Sequence, residues 1–145
     1  MSQDRVVVWE DGRKVIRAPR PGEVPPPPVP TGADVNAERD RRLYGPRTFP
    51  VAGHGDVTLA GDQRTTFNLA ARFSTAQARI AAGEGATTTD WRDEDDVIHR
   101  FTQHQVADLW ERAAAYWQAV YEASWALKDA PGGIPADFTA DHHWP

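Results

Sequence analysis

The chain has 145 residues and a formal net charge of -5, from 16 Lys and Arg against 21 Asp and Glu. That leaves room for one compact domain, with no basic block to track a phosphate backbone and hence no expectation of a nucleic-acid partner. Cysteine is absent, which removes disulfides, thiolate metal sites and a cysteine nucleophile. The N-terminus, Met-Ser-Gln-Asp-Arg, carries no apolar leader and no segment approaches the roughly 18 apolar residues of a membrane span, so synthesis in the cytoplasm and no membrane partner are expected.

Residues 1–17 read as a hairpin around Asp11-Gly12, a dipeptide suited to the type I′ turn of a two-residue connection. Two strands are marginal alone in water, so Val6, Val8, Trp9, Val15 and Ile16 need another surface, and a partner chain is expected to supply it. Residues 18–33 form a proline-rich linker; Pro19 to Pro30 holds seven of the 12 prolines, including Pro25 to Pro28. An extended polyproline helix there would place the hairpin about 30 Å from the body. The arm is then a tethered docking element or, in the blander reading, a loose leader with a spacer.

Residues 34–130 are expected to form an α+β domain of three helices and short antiparallel hairpins. Asp34 is the expected N-cap of a helix Val35 to Tyr44 that Gly45-Pro46 closes, with Glu38 pairing Arg42 at i,i+4. Arg47 to Val51 and Asp56 to Leu59 read as a second hairpin. Asp62 caps a helix Gln63 to Ala82, whose expected buried face is Phe67, Ala70, Ala71, Phe73 or Ser74, Ala78, Ile80 and Ala81. A third hairpin, Thr88 to Trp91 and Val97 to Phe101, turns at Asp93 to Asp96. Thr102-Gln103-His104-Gln105 is then a capping box that starts a long helix at Gln103. Val106, Leu109, Trp110, Ala113, Trp117, Val120, Tyr121, Ser124 and Leu127 recur at steps of three and four, and Pro131-Gly132-Gly133 ends the pattern near Asp129. Residues 131–145 are a C-terminal tail.

No catalytic, cofactor or metal site is expected. The acidic run Asp90 and Asp93 to Asp96 lacks the glycine and the twelfth-position glutamate of an EF-hand and reads as a solvated turn. Adjacent His142 and His143 could bind metal only with help from elsewhere, because zinc sites use three or four protein ligands. None of Ser2, Ser74 and Ser124 sits in a glycine-flanked nucleophile elbow. The aromatic residues carry more information. Trp110, Trp117 and Tyr121 fall on the helix stripe assigned to the core, whereas Tyr116 and Trp125 fall off it and, with Trp144 in the tail, are expected at subunit contacts.

Val35-Asn36-Ala37-Glu38-Arg39-Asp40-Arg41-Arg42-Leu43, the alanine-rich helix around Ala70 to Ala82, Trp91-Arg92-Asp93 before Phe101-Thr102, and Ala126-Leu127-Lys128-Asp129 together resemble an uncharacterised family, domain of unknown function 4376, found in tail proteins of tailed bacteriophages and prophages. The resemblance runs from about Asp34 to Ala130 and brings no catalytic residues. It implies a virion location and a structural part of a tail tip or fibre, bound to other tail or fibre proteins through the arm and self-associated with threefold or sixfold symmetry. The alternative it leaves is a fibre-assembly chaperone or adaptor absent from the finished particle. His142, His143 and Trp144 lie outside it.

Overall fold

A computed structural model describes residues 5–23 and 27–145. Among the described residues the fold is α+β: three α-helices and three two-stranded antiparallel hairpins, each hairpin a sheet of its own. Pro25 and Pro26, half of the expected polyproline run, lie outside the described residues.

Strands β1 (Val6–Glu10) and β2 (Arg13–Arg17) turn at Asp11 and Gly12, with φ of 50° and 74°. Positive φ at both positions is the type I′ turn expected of Asp-Gly. Pairing of Val6 with Arg17, Val8 with Val15 and Glu10 with Arg13 sets one face; Val7 with Ile16 and Trp9 with Lys14 sets the other. Glu10 accepts from Arg17 Nε at 3.2 Å and from Arg20 Nη2 at 3.1 Å, and Arg17 also binds Glu23 at 2.7 Å. The chain after β2 is therefore drawn back toward the Glu10 side of the hairpin.

Helix α1 (Gly32–Leu43) begins three residues before the expected start. Thr31, not Asp34, is the N-cap: its hydroxyl accepts from Asp34 N and the Asp34 carboxylate accepts from Thr31 N at 2.7 Å. That reciprocal capping box outcompetes Asp34 acting alone. Strands β3 (Arg47–Val51) and β4 (Gly55–Leu59) form the second hairpin, close to the expected limits. Gly61, at φ 74°, follows it where a Cβ would collide with the carbonyl of Gly45, so only glycine lets this crossing close.

Helix α2 (Gln63–Ala81) starts at its Asp62 cap as expected, but its buried face is not the expected one. Leu69 and Ala76 are buried and Phe73 is half-buried, while Phe67, Ala71, Ala78 and Ala81 face solvent. Positions 69, 73, 76 and 80 make the stripe with helical spacing, and Phe73 stacks on Trp110 at 5.4 Å. Small side chains do allow α2 to approach the long helix, through Ala76 rather than Ala78. Strands β5 (Thr88–Arg92) and β6 (Ile98–Thr102) lead into α3 (Gln103–Lys128), which opens with the expected Thr102–Gln105 capping box.

Helix α3 is the spine. Its first half closes a core of Phe49, Val51, Val57, Leu59, Leu69, Trp91 and Phe101 with its own Val106, Leu109 and Ala113. Its second half closes another with Val35, Leu43, Val120, Leu127 and Trp144. Tyr116 and Trp117 pack against both.

Candidate interaction surfaces

The motif that carries the family resemblance builds a clamp at the second core. Glu38, buried on α1, accepts from Arg41 Nη2 and Arg42 Nε, each at 2.6 Å. Arg41 first and Arg42 second hold the Glu38 carboxyl below its ordinary value, against the opposing effect of burial. Arg42 then reaches out of the helix. Its Nη2 donates to the Thr139 carbonyl and to Asp141 Oδ1, both at 2.9 Å, and its guanidinium lies 5.1 Å from the centre of the Trp144 ring. Asn36 accepts from Lys128 Nζ at the end of α3, and Arg39 sits 5.2 Å over Tyr121.

Residues 131–145 are consequently part of the domain and not a free tail. Ile134, Phe138 and Trp144 pack on the second core, and Trp144 Nε1 donates to the Phe138 carbonyl at 2.7 Å. Trp144, expected at a subunit contact, is buried by its own chain. Tyr116, also expected at a subunit contact, is half-buried by its own chain: its hydroxyl donates to the Arg42 carbonyl at 3.2 Å, and its ring meets Phe49 edge-on beneath the Arg47 guanidinium. Since α1 and β3 as well as α2 pack on α3, the helix has more than the one buried face read from its periodicity.

The displaced aromatic surface lies elsewhere. Trp110, Trp117 and Tyr121, expected inside, are only half-buried. Trp117 and Tyr121 line a groove of about 430 Å³ between α1, α2 and α3, with Leu43, Tyr44, Phe67 and Ala70 on its other walls. Trp125, half-exposed, continues this surface 6.2 Å from Tyr121. On the arm, Val6 is buried and Val8 and Val15 are half-buried on one face; Trp9 and Ile16 are exposed on the other, with Val7. The five apolar residues expected to dock together thus divide between two faces. Among the described residues, every hydrogen bond and ion pair of residues 5–23 stays within that segment.

Two polar arrangements escaped sequence reasoning, since each joins residues distant in the chain or separated by a turn. Asp93 is not solvated: its Oδ1 accepts from Asp95 N and Val97 N, and its Oδ2 from His99 Nε2 at 2.8 Å. His99 Nδ1 lies 2.9 Å from His54 Nε2. With both rings neutral, His54 donates to His99 and His99 to Asp93, a latch between the β3–β4 turn and the third hairpin. Burial of its ring, and next the neighbouring His99, hold the His54 pKa below its ordinary value. The second arrangement gathers Asp137, His142 and His143, which present ligand atoms within 4.8 Å of one another.

The chain belongs to the family described as a domain of unknown function (DUF4376), whose model matches residues 29–141. The match ends at Asp141, the last residue to which Arg42 donates a hydrogen bond. No curated protein and no solved structure matches the chain. No described helix is long and apolar enough to cross a membrane.

Proposed function

We propose that this member of the family is a structural component of the tail of a tailed bacteriophage or phage-like particle, joining neighbouring proteins at the tail tip or fibre. The observation that carries the reading is the outward face of the N-terminal hairpin, where Val7, Trp9 and Ile16 stand exposed together on an element that cannot bury them itself. The virion setting comes from the resemblance to tail-encoded proteins. The aromatic surface of Trp125 and the groove beside it serve contacts between copies, in a threefold or sixfold assembly. No catalysis is proposed, and the isolated protein is expected to show no lytic activity on cell walls.

Mass spectrometry of purified particles tests this directly: stoichiometric presence supports a tail part. Deletion of residues 1–30 leaves both cores intact, since their first member is Val35. The truncated protein is expected to fold and to be missing from particles; normal incorporation would remove the arm from the proposal.

The second reading is a fibre-assembly chaperone or adaptor. The groove of about 430 Å³ walled by Tyr44, Phe67, Trp117 and Tyr121 favours it, because aromatic grooves of this kind take extended or helical segments of other proteins. Abundance in infected cells with absence from particles would select it.

A further inference from the structure

His142 and His143 are adjacent imidazoles, and the carboxylate beside them in sequence, Asp141, is bonded to Arg42, so a third ligand has to come from elsewhere. The fold supplies one. The Trp144 indole bound to the Phe138 carbonyl, and Arg42 bound to Thr139 and Asp141, close the chain into a loop that brings Asp137 to both rings. His143 Nε2 lies 3.1 Å from Asp137 Oδ1 and His142 Nε2 3.5 Å from Oδ2, with the ring centres 3.9 Å apart. Two donors held about 2.0–2.1 Å from a tetrahedral zinc ion stand about 3.3–3.4 Å from each other. The separations of 3.1 Å to Oδ1 and 3.5 Å to Oδ2 are each close to that edge length, so each imidazole has one carboxylate oxygen at a spacing an ion can bridge.

We propose that Asp137, His142 and His143 form a binding site for a divalent first-row transition ion, zinc in the first instance, with one carboxylate oxygen, two imidazole Nε2 atoms and a water completing a tetrahedron. Calcium and magnesium do not suit a donor set in which two of three protein ligands are nitrogen. His142 and Asp137 are both well exposed, so an ion reaches the site without any rearrangement of the core. The bound ion would staple the 3-10 turn Asp141–His143 to the preceding turn and so hold Phe138 and Trp144 against α1 and α3. Asp137 lies within the family match, and His142 and His143 follow its last residue.

The test uses the full chain in metal-free buffer, titrated calorimetrically with zinc chloride and spectroscopically with cobalt. One zinc ion per chain and the intense visible bands of tetrahedral cobalt are expected. His142→Ala and Asp137→Asn should each weaken zinc binding by about tenfold or more. Near-UV circular dichroism should show Trp144 still docked in both variants. His104→Ala, an exposed histidine on α3, should bind as the wild type does. Failure to saturate at about 100 μM zinc, about 5–6 kcal/mol in affinity, would overturn the proposal. Binding that survives both His142→Ala and Asp137→Asn unchanged would overturn it equally.

Discussion

Both ends of the chain carry a lone tryptophan in a short element, and they meet opposite fates. Trp9, on the N-terminal hairpin, is 73% exposed; Trp144, after the last 3-10 turn, is 7% exposed. Nothing in the immediate sequence of either residue predicts this. Trp9 lies opposite Lys14 on a two-stranded ribbon that has no second layer. Trp144 has a hydrogen bond for its indole nitrogen, a guanidinium over its ring, and the apolar ends of α1 and α3 beneath it. A terminal tryptophan becomes core when a distant element reaches across to hold it, and here that element is Arg42.

The largest expected effect tests whether Trp144 is truly core. Trp144→Ala removes a buried ring and leaves a cavity between α1 and α3, and should cost about 3–4 kcal/mol in urea denaturation. A loss below about 1 kcal/mol would mean that the C-terminal segment is only loosely docked on the body.

Arg42→Ala should come next, at roughly 2–3 kcal/mol. Glu38 keeps Arg41, but the Thr139 carbonyl and the Trp144 ring lose their partner. A double-mutant cycle with Trp144→Ala should give a non-additive sum, because the two side chains act on one segment. Strict additivity would mean that Arg42 stabilises α1 alone.

A smaller effect separates the two regions by what holds them. The hairpin arm is drawn together by Arg17 with Glu23 and Glu10, half-buried pairs that salt screens in part. The body joins its second and third hairpins through Asp93, His99 and His54. The His54 pKa is depressed from its ordinary 6.5, so the unfolded chain takes up this proton at a higher pH than the folded one. The stability carried by neutral His54 is therefore complete above about pH 6.5 and is lost as pH falls below it. Urea midpoints measured from pH 8 down to pH 5 should decline for the wild type, and less steeply for His54→Gln. Equal slopes would show that the latch does not couple to protonation.

The features legible in sequence were those set by residues a few positions apart. The Asp11-Gly12 turn, the Asp62 cap and the Thr102–Gln105 box are local chemistry, and each lies where the residues place it. The start of α1 was missed by three residues although Thr31 and Asp34 have the spacing of a box, because aspartate in place of glutamate at the third position hid the pattern. What a helix faces was harder to read. Counting apolar residues on α2 favoured Phe67 over Leu69, yet the partner helix accepts the stripe with regular spacing. On α3 the periodicity predicts one buried stripe, yet Tyr116 and Trp117 are both half-buried and pack against both cores, because α1 and β3 as well as α2 lie on this helix. The histidine latch and the Asp137 cluster depend on tertiary approach, and no periodicity announces either.

The smallest effect on stability belongs to Trp9, and there the comparison between the two ends reaches function. A side chain this exposed contributes little to folding, so Trp9→Ala should change stability by less than about 0.5 kcal/mol. If the outward face of the hairpin is a docking surface, the same substitution should nonetheless remove most binding to the tail or fibre partner, since a tryptophan at the centre of an interface carries about 2 kcal/mol or more. Measured together, the two numbers distinguish the possibilities. Unchanged stability with lost incorporation into particles assigns Trp9 to a partner. A stability loss comparable to that of Trp144→Ala would mean that the body of the same chain covers the hairpin in solution, and unchanged stability with unchanged incorporation would make the arm a leader without a docking role.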